Sequence, residues 1–146
     1  MENKETEKRD ITLAIGEAIG LNDILNKAKF TDVSNDAMGA ILEFKFALSK
    51  INKDKDEFIK ESAESIKDDN FKELQEKQNK TKEEEKQFEE IMNDLNKKLN
   101  EIVNKYFFNE TTISITPIDK DEFFKFCKMN EFKAITIEFL YDKIVK

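Results

Sequence analysis

The run TKEEEKQFEEIMNDLNKKLNEIVNKY, residues 81–106, decides how this chain is read. Within it Phe88, Met92, Leu95, Leu99, Ile102 and Tyr106 recur at alternating steps of four and three, which sets them on one stripe of an α-helix. Thr81 followed three residues later by Glu84 is the spacing of a capping box, so the helix has a defined start. A second stripe lies upstream. Ala37, Ile41, Phe44, Leu48, Ile51 and Phe58 keep the same spacing with Lys55 interrupting, behind Thr31, Asp32 and Ser34, each of which can cap a helix. Folding the two stripes together about residues 73–76 sets Ile51 opposite Leu99, Leu48 opposite Ile102 and Phe44 opposite Tyr106. The expected structure is an antiparallel helical hairpin with a polar tip between about Ile66 and Lys80. Met38, Leu42, Phe46, Ile91 and Val103 widen the stripes towards the base.

Charge supports that division. The chain has 146 residues and a formal net charge of −7, of which residues 52–90 carry −5. That block holds 23 charged residues but only seven apolar ones, too few to furnish a core, so it is expected to stand in solvent as an arm. Ten of the thirteen Phe lie outside it, among them Phe44, Phe46, Phe107, Phe108, Phe123, Phe124 and Phe126. The fold class expected is therefore mainly α: a single domain over 1–146, with an arm at about 52–90 on a base formed by 10–51 and 91–146. The base carries one or two short strands and a C-terminal helix.

The flanks complete the base. Asp10 to Ile15 alternates as a short strand or extended entry, followed by a helix to about Ala28. Thr111 to Ile118 is the best strand, with Ile113 and Ile115 on one face and Pro117 confining its end to an edge or terminus. Asp119 and Glu122 have capping-box spacing ahead of a short helix bearing Phe123, Phe124 and Phe126. From Phe132 to Val145 the pattern fits either a helix or a strand; its length and a possible cap at Asn130 favour the helix.

Composition narrows the chemistry. There is no His, which leaves no imidazole base, no Ser-His or Cys-His pair and no His-ligated metal site. The one Cys, Cys127, sits in an aromatic run and reads as a buried structural thiol in a reducing compartment. Arg9 is the only Arg beside 24 Lys, so the fork that reads phosphates and base edges is nearly absent and direct nucleic-acid binding is not expected. The charged amino terminus lacks the apolar core of a signal peptide, and the stretch Ile11 to Leu25 is interrupted by Glu17 and Asp23. A cytoplasmic protein without membrane association is the expectation.

The acidic clusters offer no catalytic or metal-ligating residues. Asp54-Lys-Asp-Glu57 and Asp119-Lys-Asp-Glu122 resemble each other only over seven residues, and neither has the Gly and Glu spacing of a calcium loop. Glu83, Glu84, Glu85, Glu89 and Glu90 read as a solvated helix face. Gly16 and Gly20 suit close helix packing and do not form a phosphate loop. No cofactor is expected. Phe71 and Leu74 stand out in the polar tip, as either a local closure of the hairpin or an exposed anchor for a partner, and are the candidate partner-contact residues.

The order of features resembles a family of small uncharacterised bacteriophage proteins. The likeness is carried by the entry at Asp10 to Leu13, the Lys- and Glu-rich hairpin and the Lys-Tyr-Phe-Phe-Asn-Glu that closes its second helix. The Ile-Ser-Ile-Thr-Pro-Ile strand and the Phe-Lys-Ala-Ile-Thr-Ile-Glu-Phe-Leu segment complete it. The resemblance implies a phage-encoded accessory or virion-associated protein and brings no catalytic residues with it. More loosely the chain is similar to prefoldin-type arms, from which it departs because its best strand follows both long helices. A non-enzymatic structural or interaction role is expected, with protein partners that are either further copies of itself in a homo-oligomer or members of a larger assembly. The alternative is a small acidic regulator or inhibitor whose arm is a decoy for a basic surface on a host protein.

Overall fold

The computed structural model describes residues 7–146. Its elements are β1 (Arg9–Ala14), α1 (Ile15–Asn26), α2 (Asn35–Ser65), α3 (Asp69–Glu76), α4 (Lys82–Phe108), β2 (Glu110–Ile115), α5 (Lys120–Met129) and α6 (Ala134–Ile144). The chain is mainly α, with two long helices, one two-stranded antiparallel sheet and a C-terminal helix. It divides into two compact units. One runs through Asn52 and resumes from Glu110 to Lys146; the other is Lys53–Asn109. The sequence places the arm at 52–90, whereas α4 stays with the second unit through its last turn.

In the first unit, β1 and β2 pair with Ile11 opposite Ile113 and Thr12 opposite Thr112. The alternation seen in the sequence sends Ile11 and Leu13 inward, where both are buried, and leaves Thr12 outward with its hydroxyl oxygen 3.0 Å from that of Thr112. Two strands alone are marginal in water, so the sheet depends on the helices of its unit. Ala18, Phe44, Leu48, Phe123, Phe126 and Leu140 are sealed from solvent there, and each large side chain contributes about 1.5–3 kcal/mol by leaving water. One polar side chain is buried among them: Asn22, whose carbonyl oxygen accepts from the Ser49 hydroxyl at 3.0 Å.

Several helix ends differ from the sequence reading. Ser34 does cap α2, its hydroxyl accepting from the Ala37 N–H at 3.2 Å. Asp119 and Glu122 form no box, because Glu122 accepts from the Ser34 N–H at 2.8 Å while Asp119 pairs with Lys146 at 3.1 Å. Residues 132–145 settle as the helix α6, but its N-cap is Lys133. Asn130 ends α5 instead: its amide nitrogen donates to the Phe126 and Lys29 carbonyls, both at 2.9 Å, and its oxygen accepts from the Lys29 N–H at 2.6 Å. The turn that follows is a full Schellman motif, with Phe132 N–H donating to the Cys127 carbonyl and Glu131 N–H to that of Lys128. Glu131 occupies its left-handed position at φ 54°.

In the second unit, α4 begins at the capping box foreseen from Thr81 and Glu84. The hairpin register is corrected. Tyr106 stacks on Phe58 of α2, ring centroids 4.1 Å apart, two heptads beyond its expected partner Phe44. Within the expected polar tip Asp68 caps an extra helix, α3, accepting from the Phe71 N–H at 2.7 Å. That insertion moves the point of reversal and shifts every facing pair. Phe44, Leu48 and Ile51 are instead buried in the first unit.

Candidate functional site

The structure places Phe71 and Leu74 inside rather than at the surface, at 1% and 7% exposure. Phe71 stacks on Phe88 with centroids 5.3 Å apart, and the Lys80 ammonium lies 4.8 Å from the Phe88 ring centroid. They close the hairpin locally, the first of the two roles open in the sequence, and neither presents an apolar surface while α3 is folded. Their spacing of three on a helix with polar neighbours could have indicated an amphipathic α3.

What remains open in this unit is the apolar stripe of α4. Not one residue of its 27 is buried, although it carries a complete heptad stripe. Phe88, Ile91, Met92, Leu95, Leu99, Ile102, Val103, Tyr106 and Phe107 are all half-buried, and Phe108 is 82% exposed. α2 and α3 cover the two ends, through Phe58 on Tyr106 and Phe71 on Phe88. Burial beside Phe58 raises the Tyr106 phenol above its ordinary pKa, and Asp54 adds to the effect by repelling the phenolate. The remaining length of stripe is a surface on which a further helix can lie, of the kind two-helix arms leave when each buries a single face.

Depressions in the first unit include a polar one and an apolar one. One, of about 500 Å³, is lined by Ser34, Asp36, Glu43, Thr116, Asp119, Glu122 and Lys146 among others. Its groups are engaged with one another: Glu122 is held below the usual carboxylate range by the Ser34 N–H, and Lys146 is occupied with Asp119. The other, of about 240 Å³, is a shallow apolar groove between α1 and α6, lined by Leu21, Ile24, Ile135 and Phe139. Ile135 is 76% exposed beside it.

Cys127 is buried, and desolvation pushes its thiol up to about 11, the opposite of the depressed value a nucleophilic cysteine needs. Among the described residues no group of three or more acidic or Cys side chains is placed to hold a metal ion. No helix among them is long and apolar enough to cross a membrane. No family model, curated protein or solved structure matches this chain.

Proposed function

We propose that this chain is a non-enzymatic interaction or structural component that works by adding a helix from another chain to the α4 stripe. The observation that supports this most directly is a 27-residue helix with a full heptad of apolar residues and no buried one. Half-buried apolar residues on a long helix gain free energy when a second helix covers them, by about 25 cal/mol for each Å² removed from water. The resemblance of its sequence to small bacteriophage proteins implies an accessory or virion-associated place in an assembly.

The test is capture from the cells in which the protein is made, with the wild type beside a Leu95→Ser/Ile102→Ser variant first shown to melt cooperatively. A stoichiometric protein partner, whether another chain or another copy, that is lost in the variant is the expected result. A wild-type protein that is monomeric and retains no protein overturns the reading. A second reading, a charge decoy, draws on the exposed Glu83, Glu85, Glu89 and Glu90. It is distinguished by salt: a decoy complex weakens steeply between low and high ionic strength, and an apolar helix contact does not.

A further inference from the structure

We infer that the helix covering the α4 stripe is α4 of a second copy of this chain, laid antiparallel and crossing between Leu99 and Asn100. The inference rests on the reading of the stripe as a docking surface and names its occupant.

The argument comes from charge. The first half of α4, Lys82 to Asp94, has six acidic and two basic residues, and the second, Leu95 to Phe108, has three basic and one acidic. A parallel pair in register sets like charges side by side, whereas at the antiparallel crossing proposed residues 91–108 of the two copies overlap and Glu83 to Glu90 lie beyond the end of the second α4. Four of the charges in the overlap alternate in sign along one edge of the stripe. Helical spacing sets Asp94, Lys98, Glu101 and Lys105 in a row beside Ile91, Leu95 and Ile102, and all four charged residues are exposed. Reversing the helix about the midpoint between residues 99 and 100 carries Asp94 onto Lys105 and Lys98 onto Glu101. Every charge in the row then meets its opposite in the second copy, giving four cross-chain pairs around the two-fold axis.

Among the described residues none of these four is in an ion pair. The ion pairs among the described residues join Lys55 to Asp56, Lys67 to Glu64, Lys77 to Glu84, Lys125 to Glu122 and Lys146 to Asp119. Under the crossing proposed, Ile91, Leu95, Leu99 and Ile102 supply the apolar centre and the charged row its rim, the usual division of a protein interface. From Ile91 to Lys105 the helix is about 21 Å long at 1.5 Å per residue, so the contact spans four turns.

The test uses the full chain in size-exclusion light scattering from about 1 to about 200 µM, at low salt. The wild type is expected to form a dimer. The variant Lys98→Glu/Lys105→Glu turns all four cross-chain pairs repulsive and is expected to raise the dimer Kd by about tenfold or more without changing its helical content. The variant Asp94→Lys/Lys98→Glu/Glu101→Lys/Lys105→Glu exchanges every sign, keeps the two-fold complementarity and is expected to regain the wild-type Kd. A dimer that the first variant leaves intact, or that the second fails to restore, overturns the antiparallel α4 contact. A monomer throughout overturns the second copy as occupant. In that case the wider reading of the stripe survives only if the capture experiment returns a different chain on α4, so the two failures are told apart.

Discussion

Glu131→Gly is expected to stabilise the protein. Glu131 sits at the left-handed position of the turn after α5, at φ 54°, where a side chain brings its Cβ against the following carbonyl at a cost of about 1–2 kcal/mol. The turn is nevertheless fixed, because Phe132 N–H donates to the Cys127 carbonyl and Phe132 packs edge-on against Phe126, centroids 5.4 Å apart. Glycine removes the clash but loosens the unfolded chain, which returns about 0.5–1 kcal/mol of the gain. A few tenths of a kcal/mol come back from removing a negative charge beside the negative end of a helix. The net expectation is about +0.5 to +1 kcal/mol, read in urea as a higher midpoint with an unchanged slope. Glu131→Ala serves as the control, since it removes the charge and keeps the Cβ, and only a small part of the gain is expected from it. A Glu131→Gly protein that is no more stable than Glu131→Ala would refute the reasoning, because the strain would then not be in the backbone.

Truncations should separate buried from half-buried positions: Leu48→Ala, at a sealed site, is expected to cost about 3–5 kcal/mol, and Leu99→Ala, on the open stripe, nearer 1 kcal/mol in the monomer, both by urea melts. Phe71→Ser should unfold α3 and uncover Phe88, which limited proteolysis will report as new cleavage between residues 66 and 81. Cys127 should resist a thiol reagent at pH 8 in the folded protein and react at once in denaturant. Its thiol is raised from 9.0 to about 11, so the native state holds its proton longer and stability should fall as pH rises from about 9 through about 11. Glu122, lowered by the Ser34 N–H, acts in the opposite direction: its contribution is present above its unfolded value of 4.5 and is lost as pH falls below that, which acid melts of Glu122→Gln against wild type will show.

Elements with a strong period could be read from residues alone. The seams of α2 and α4, the Thr81 capping box and the alternation in β1 and β2 depend on neighbours in sequence and appear where their spacing puts them. Register did not follow. It depended on Asp68 starting α3, a local event inside a polar stretch whose two apolar residues looked isolated. Asn130 and Glu122 were misread for a related reason: each could satisfy a neighbouring helix end, and each instead bonds to backbone distant in sequence, Lys29 and Ser34. Phe46 and Phe108, expected among the core aromatics, are 62% and 82% exposed, because neither belongs to a seam. For the site, the stripe itself was legible. That α2 and α3 would leave so much of it open was not, since burial depends on what the partner helices carry opposite.

Arg9 gives the first unit a timetable. The chain's sole guanidinium donates to the carbonyl of Val145 at 2.8 Å, a contact spanning 136 positions, and β1 pairs only with β2. On the ribosome, β1 is made early and its two inward side chains, Ile11 and Leu13, have no sheet partner until residues 110–115 emerge. At about 5–20 residues per second that wait is on the order of ten seconds. The contiguous second unit is complete in sequence at Asn109, one residue before β2 begins. A chain released after residue 109 would therefore carry the whole second unit joined to an apolar strand without its mate, a form that holding chaperones recognise and proteases remove.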